Sequence, residues 1–288
     1  MEKRFKKLLD RLGSDISEAI LGSCNDFKEI IEIRITVNSP ILIVTYNDVI
    51  KTEKRVTISE LRDVFASLCE FSVHTYKNEI CRGFITAEGG IRIGICGTAL
   101  YENEKISGIK DISALNIRIP HEIFNSSEII VPLAEKGGIL IIGPPCSGKT
   151  TILRDASRKY SDKYHTVIVD ERCEIAGICR GEASFNIGNS AVLNGFYKKD
   201  GIEFAVRSMA PDIIICDEFG DENDIRSALF AMKSGTKIIA SAHAFDKKDF
   251  LDKPFSKNII LGGIFSYFVF LGKNFEINEI VSAKEIFL

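Results

Sequence analysis

The chain has 288 residues, of which 45% are hydrophobic and 27% charged. This is the composition of a soluble globular protein, and the length allows two domains that each bury a core. The formal net charge of −3 and the pI of about 5.9 give no support to a nucleic-acid-binding protein or to one that binds an anionic membrane surface.

The eight cysteines include no C-x-x-C pair and no pair at metal-ligand spacing from a histidine, which is typical of thiols in a reducing cytosol. The N-terminal residues lack the apolar core of a signal peptide. The longest apolar run, 259–272, is shorter than the ~20 residues that span a bilayer. We therefore expect a cytoplasmic protein, at most peripheral at the inner face of a membrane.

Residues 1–124 are predicted to form a small α+β N-terminal domain. It begins with apolar residues at helical spacing from Phe5 to Ile20, interleaved with lysine and arginine. This basic amphipathic helix is interpreted either as an ordinary helix with a solvated face or as one that contacts a membrane or partner. The remaining predicted elements are two strands within 29–49, a helix over 58–69, a hairpin over 83–101 and a last strand within 111–123.

Residues 125–137 are predicted to be a linker, because Pro120 and then Asn125, Ser126 and Ser127 interrupt the pattern. From 138 to 288 strands and helices alternate, which predicts a mainly parallel sheet covered by helices. The predicted strands are 139–142, 166–170, 213–217 and 237–241, with helices from Lys149 and near 224–233 and an antiparallel hairpin over 264–281.

The pattern G-x-x-x-x-G-K-[ST] follows the first of these strands and leads into a helix, which is the arrangement of a phosphate-binding loop. Backbone N–H groups at such a helix start bind phosphate, Lys149 would contact the β- and γ-phosphates, and the Thr150 hydroxyl would bind Mg²⁺. The predicted nucleotide-binding residues are Gly143, Pro144, Pro145, Cys146, Ser147, Gly148, Lys149, Thr150 and Thr151.

Acidic residues follow two of the predicted strands. Asp217 and Glu218 end the apolar strand from Ile213, and a carboxylate there needs a cation or hydrogen bonds. Asp217 is predicted to bind Mg²⁺, and Glu218 to polarise a water for attack on the γ-phosphate, which favours ATP hydrolysis. Glu171 and His243 follow two further strands, and the carboxyl ends of parallel strands gather at one site.

The order of these motifs resembles the secretion ATPase superfamily, the hexameric motors of type II and IV secretion and of type IV pili, and within it the stage III sporulation protein AA family. The similar segments are GPPCSGKTTILRDASR, VDERCEIAG, 198–212, DEFG, ASAHA and, in the N-terminal domain, EIRITVNSPILI, CRGFITAEGGIRIGICGTA and ISALNIRIPHEI. The resemblance covers about 8–281 and implies a RecA-like P-loop ATPase domain.

The resemblance also implies roles for particular residues. Asp170 and Glu171 correspond to the family's Asp box, which organises Mg²⁺ and water, and His243 to its His box, which senses the γ-phosphate. Arginines of the N-terminal domain act across the subunit boundary in such rings. Arg92 and Arg118 are the candidates, with Arg207 as a third, and a surface ion pair is the alternative for each.

Two segments depart from the family pattern. Asn189, Ser190 and Ala191 stand where the family has Arg-Thr-Asp, and Asp221 replaces an arginine after DEFG.

The resemblance implies a homo-hexamer that docks on membrane channel proteins of the sporulation secretion apparatus, from the mother-cell cytoplasm. The alternatives are a nucleic-acid-directed ring ATPase and a nucleotide-binding scaffold with low turnover.

Overall fold

A computed structural model describes residues 2–24, 26–87, 89–179, 181–273 and 275–286. The chain divides into two compact units, residues 1–122 and 123–288. No helix within the described ranges is both long and apolar enough to cross a membrane.

The first unit combines helices with an antiparallel sheet. Its helices are α1 (Glu2–Leu12), α2 (Ser14–Ser23), α3 (Ile58–Leu68) and α4 (Lys77–Cys81), with short 3₁₀ helices at Phe27–Glu29 and Val73–Tyr76. Its strands are β1 (Ile30–Thr36), β2 (Pro40–Thr45), β3 (Val49–Arg55), β4 (Phe84–Ala87), β5 (Ile91–Glu102) and β6 (Lys105–Arg118). The strand order is β3-β2-β1-β6-β5-β4.

Alternation along these strands separates a core face from a polar face. Ile33 and Ile35 of β1 and Ile93 of β5 are fully buried in one cluster with apolar residues of α1, α2 and α3, such as Leu12. The predicted single helix over residues 5–20 is instead two helices, since Gly13 adopts a left-handed φ of 84° between them. Strand β3 was not predicted, because it is a charged edge strand in which Thr52 alone is buried.

The second unit is an α/β sheet with helices. Its helices are α5 (Lys149–Tyr160), α6 (Lys198–Met209), α7 (Glu222–Lys233), α8 (Lys247–Asp252) and α9 (Ser256–Leu261), with a 3₁₀ helix at Val131–Glu135. Its strands are β7 (Gly138–Gly143), β8 (Thr166–Asp170), β9 (Ile178–Cys179), β10 (Glu182–Ala183), β11 (Ala191–Asn194), β12 (Ile213–Cys216), β13 (Lys237–His243), β14 (Phe265–Leu271) and β15 (Ile277–Ser282).

The main sheet of this unit has the order β11-β8-β12-β13-β7-β14-β15. The strands from β11 to β14 run parallel, and β15 pairs antiparallel with β14. The central strands are buried on both faces, as expected for a parallel sheet between helix layers. The predicted fold class, a mainly parallel α/β unit after a smaller α+β unit, is confirmed.

The stretch 125–137, predicted as a linker, packs into the second unit. Ile130 and Ala134 are fully buried in its core. Ser127 is also buried, and both its N–H (2.9 Å) and its hydroxyl (2.6 Å) donate to Asp155 of α5. These bonds, with the ion pair to Arg158, lower the pKa of Asp155 against the opposing effect of its burial. The polar residues that look like a linker therefore anchor the segment to a helix.

Candidate functional site

The loop between β7 and α5 has the geometry of a phosphate-binding loop. Gly148 has a left-handed φ of 95°, and a Cβ there would come within 2.2 Å of the Phe275 ring. A Cβ at Gly143 would lie 2.6 Å from the Ser147 hydroxyl. Both positions therefore require glycine, which lets the first N–H groups of α5 converge on an anion.

The loop opens into a cleft of about 410 Å³ in the second unit. The phosphate-loop residues from Pro145 to Thr151 line one part of it. The other lining residues are Arg172, Glu174, Asp217, Glu218, Ser241, His243 and Phe275. Residues of the loop and of the ends of β12 and β13 thus share one cleft.

Lys149, the lysine of the loop, is buried and held by its own loop. Its Nζ donates to the carbonyls of Gly143 (2.8 Å) and Pro144 (2.7 Å). Burial lowers its pKa, while the charge of Glu218 acts in the opposite direction. The ammonium is therefore held against its own loop, and Lys149 is one of the residues that line the cleft.

His243 connects this lysine to Glu218. The register pairs His243 of β13 with Gly143 of β7, so the imidazole lies beside the loop. Its Nδ1 is 3.4 Å from Lys149 Nζ, and its Nε2 is 2.5 Å from Glu218 Oε1. Because a lysine ammonium can only donate, Nδ1 is the acceptor and Nε2 donates to the carboxylate. Glu218 also forms an ion pair with Arg172 through Oε2.

Asp217, directly after β12, is buried, and its Oδ2 has no hydrogen-bond partner among the described residues. Burial, with the nearby charge of Asp170, raises its pKa to about 7, against the charge of Lys198, which lowers it. An ionised carboxylate in this position lacks the donors or cation that would compensate its desolvation.

These features fit a bound Mg²⁺. The unpartnered Oδ2 of Asp217 and the hydroxyl of Thr150, which lines the same cleft, are oxygen ligands of the kind that Mg²⁺ prefers. No group of three or more His, Cys, Asp or Glu side chains that could hold a metal is found in the described residues. Mg²⁺ in nucleotide sites is usually held by one or two side chains together with phosphate oxygens and water.

The two acids at the end of β8, Asp170 and Glu171, have different surroundings. Asp170 is fully buried and accepts hydrogen bonds from the N–H groups of Glu174 (2.9 Å), Ile175 (3.1 Å) and Ala176 (2.8 Å). Glu171 Oε2 accepts from the N–H of Lys198 at 3.3 Å, at the start of α6. Glu171 is not among the residues that line the cleft, whereas Arg172 and Glu174 are.

The three candidate arginines lie in different places. Arg92 and Arg118 are direct cross-strand partners on β5 and β6 of the first unit. Arg118 Nε is 3.5 Å from Glu32, and the guanidinium of Arg92 lies over the Phe84 ring at 4.0 Å. Arg207 is near the end of α6, is paired with Glu203 at 3.4 Å and does not line the cleft.

Sequence reasoning missed several residues of the cleft region. Arg172, Glu174 and Phe275 line it, and Lys198 donates a hydrogen bond to the carbonyl of Glu218. Arg172 and Glu174 flank the predicted acids in VDERCEIAG and could have been proposed from that position. No sequence signal distinguishes Lys198 from its exposed neighbour Lys199.

The two departures from the family pattern have structural roles. Asp221 is the N-cap of α7, and its carboxylate accepts from the N–H groups of Asn223 (2.8 Å) and Asp224 (2.9 Å). The N–H of Asn189 donates to the Ser161 hydroxyl (2.9 Å), and the Ser190 hydroxyl donates to the Ser157 carbonyl (3.2 Å). These residues attach their segments to helices of the second unit.

The chain is similar in sequence to a bacterial protein and to a plant protein. It is 34% identical over 241 residues to stage III sporulation protein AA of Bacillus subtilis, covering 80% of this chain and 78% of that protein. It is also 34% identical over 171 residues to the protein SEEDLING PLASTID DEVELOPMENT 1 of Arabidopsis thaliana, covering 56% of this chain and 25% of that protein.

The fold is similar to that of solved secretion ATPases. The pilus retraction motor PilT, solved with bound ADP, superposes with a TM-score of 0.59 at 18% identity, over 89% of this chain and 76% of PilT. The Legionella pneumophila ATPase DotB gives 0.56 at 18% identity, over 84% of this chain and 72% of DotB. The predicted RecA-like ATPase fold is therefore confirmed.

The family profile described as "Sporulation stage III, protein AA" matches residues 2–285. Together with the B. subtilis relative, this match covers both units of the structure. The chain belongs to the stage III sporulation protein AA family, whose fold is that of the secretion ATPases.

Proposed function

We propose that this chain is a Mg²⁺-dependent ATP hydrolase that works as a motor of the secretion type. One observation carries the proposal: His243 joins Lys149 of the phosphate loop to Glu218, beside the unpartnered carboxylate oxygen of Asp217. A cation, a metal-binding acid and a candidate general base then share one cleft, which is the set that phosphoryl transfer to water requires.

Each residue has a part in the proposed reaction. The loop N–H groups and Lys149 bind the β- and γ-phosphates, and Thr150 and Asp217 hold Mg²⁺, which neutralises charge on the phosphate oxygens. Glu218 orients a water and accepts its proton as the water oxygen bonds to the γ-phosphorus and the bond to the β-phosphate oxygen breaks. His243 reports the γ-phosphate to Glu218 because it touches both Lys149 and Glu218. Glu171, which bonds the start of α6, supports this site without lining it.

A ring of several copies, six by analogy with secretion motors, would complete the site with arginines from a neighbour. Arg92 and Arg118 are adjacent like charges on one sheet face, and Glu32 on the neighbouring strand β1 lies 3.5 Å from Arg118. The Arg118 side chain is 68% exposed and so available to a neighbouring copy's nucleotide. Arg207, already paired on the surface of α6, is the least suited of the three.

We infer that hydrolysis serves the sporulation apparatus, because the B. subtilis relative is named as a sporulation protein. The ring would act in the mother-cell cytoplasm, peripheral to the membrane, and energise channel proteins there. Since the net charge is −3, nucleic acid is not the expected partner.

The test measures ATP hydrolysis by the full chain and by Glu218→Gln. We expect a loss of about 10²–10⁴-fold on removal of the general base. Glu222→Gln is the matched control, because Glu222 is a 76% exposed residue of α7 paired loosely with Arg226, and it should hydrolyse at the wild-type rate.

Nucleotide binding is measured separately by alkylation of Cys146, which is exposed in the loop, with exposed Cys96 as the internal reference. Mg-ATP should protect Cys146 and leave Cys96 reactive.

Protection without hydrolysis would favour the scaffold alternative, and salt-sensitive stimulation by single-stranded nucleic acid would favour the nucleic-acid-directed one. An Arg118→Ala chain that regains activity when mixed with Glu218→Gln would support a site shared between copies.

A further inference from the structure

The backbone at Glu218 is strained and held in place by surrounding bonds. Its φ is 34°, in the left-handed region that a glutamate rarely adopts. Its N–H donates to the Ser241 hydroxyl at 3.0 Å, and the N–H of Phe219 donates to the Ser241 carbonyl at 2.6 Å. Strain of this kind persists where the neighbouring structure enforces it.

The carbonyl of Glu218 is held by a buried lysine. Lys198, the first residue of α6, donates from Nζ to this carbonyl at 2.6 Å. The same Nζ is 3.4 Å from Asp224 Oδ2 and 5.6 Å from the centroid of the Phe219 ring. Lys198 is 6% exposed and Asp224 7%, so both charges are desolvated.

Asp224 fixes the other end of the same turn. Its Oδ2 accepts from the N–H of Gly220 at 3.0 Å as well as facing Lys198. The pair therefore bonds the backbone at residues 218 and 220, on both sides of the turn that aims the Glu218 side chain. Lys198 and Asp224 also join α6 to α7 through the contact between their charges. The lysine lies closer to the Glu218 carbonyl than to its counter-ion.

We propose that Lys198, oriented by Asp224, is a positioning residue that holds the Glu218 carboxylate toward His243 and the cleft. The inference rests on the proposed function in that Glu218 is taken as the general base. It adds a residue pair that touches neither nucleotide nor metal and acts through the backbone of Glu218.

The decisive variant is the double substitution Lys198→Met with Asp224→Asn. Replacing Lys198 alone would leave a buried carboxylate without its cation and could unfold the protein. The double variant removes both charges and keeps a side-chain oxygen for the Gly220 N–H. We expect kcat for ATP hydrolysis to fall about 100-fold, as for a misplaced catalytic group, with the KM and the Mg-ATP protection of Cys146 unchanged.

Lys199→Met is the matched control, because Lys199 is the exposed neighbour on the same helix, and its kcat should equal that of the wild type. Introducing the double substitution into Glu218→Gln should cause little further loss, since Lys198 acts through Glu218. A wild-type kcat in the folded double variant, or losses that multiply independently with Glu218→Gln, would overturn the proposal.

A second readout does not depend on turnover. The chain has four histidines, so the ring resonances of His243 can be assigned by NMR. Because His243 Nε2 bonds Glu218, these resonances should move in the double variant and stay in place in Lys199→Met. If the wild type hydrolyses nothing while His243 shifts as expected, the proposed function fails and the positioning role stands. Unchanged His243 resonances in the folded double variant would refute the positioning role.

Discussion

Asp170 and Asp217 end neighbouring parallel strands, and both are buried, yet their carboxylates have opposite surroundings. The pairing of Val169 with Cys216 places the two residues side by side at the edge of the sheet. Asp170 accepts hydrogen bonds from three successive backbone N–H groups, whereas Asp217 Oδ2 accepts none among the described residues.

The difference shows how one position in a fold can serve structure or chemistry. A carboxylate surrounded by N–H groups shapes the loop that supplies them, and no oxygen of it remains to be satisfied. A carboxylate without donors is costly to the fold and is suited to a cation. Asp170 also raises the pKa of Asp217, so the structural acid tunes the candidate metal ligand.

Asp170→Ala should have the largest effect on stability, because it would leave the N–H groups of residues 174–176 without an acceptor. We expect the free energy of unfolding to fall by about 4 kcal/mol, since each unsatisfied buried donor costs about 1–3 kcal/mol. Urea unfolding measures the loss. Asp162→Ala, at an exposed turn after α5, should stay within about 0.5 kcal/mol of wild type. Equal stability of the two variants would contradict the structural role of Asp170.

Asp217→Asn should change the free energy of unfolding in the opposite direction and stabilise the protein in the absence of nucleotide. The folded-state pKa of about 7 lies above the ordinary value of 3.8, so wild-type stability falls as pH rises between these values. The advantage of the variant should be absent near pH 4, grow to roughly 2–4 kcal/mol at pH 7 and remain constant above it. Urea unfolding across this range tests the trend, and a pH-independent difference would show that Asp217 is not a strained acid.

Mg²⁺-dependent nucleotide binding should strengthen as pH rises, because Asp217 must lose its proton to bind the metal. With a pKa of about 7, the affinity for Mg-ADP should increase about tenfold between pH 6 and pH 8. Calorimetry on the wild type and on Asp217→Asn gives the ratio of affinities, which cancels the titration of the nucleotide itself. A ratio that does not change with pH would show that Asp217 does not bind the metal.

The smallest effect is expected for Asp221→Ala, which removes the N-cap of α7. The carboxylate satisfies two N–H groups at the helix start, so the loss should be about 1 kcal/mol. Thermal unfolding is sufficient to measure it. Asp221→Ser restores a capping side chain and should recover most of the stability; failure to do so would indicate another role for this residue.

Local patterns in the sequence predicted six of the seven strands of the second unit's main sheet and helices α5 and α7, but not β11, α6, α8 or α9. The phosphate loop and the strands around it follow from a fixed spacing of residues and from apolar runs of suitable length, as at β8 and β12. Strand β3 escaped prediction because its charged residues resemble those of a loop, and only pairing with β2 makes it a strand.

The separation of the acids could not be predicted in the same way. Asp170 and Asp217 each end an apolar strand, and the difference between them depends on the path of the chain after Asp170, which turns its own N–H groups back onto the carboxylate. The role of Lys198 depends on its contact with the Glu218 carbonyl, twenty residues away in sequence. Such contacts depend on tertiary structure that no local pattern specifies.

The strand orders have a consequence for how the chain folds. In the first unit, most neighbouring strands are also consecutive in sequence, with the pairing of β1 and β6 as the long-range exception. In the second unit β7 lies between β13, about 100 residues later in the chain, and β14, which follows β13. Since long-range pairings form slowly, we expect the first unit to fold early during synthesis. The strand that carries the phosphate loop can gain its second neighbour only after β14 has been made, so the site would be among the last parts to form.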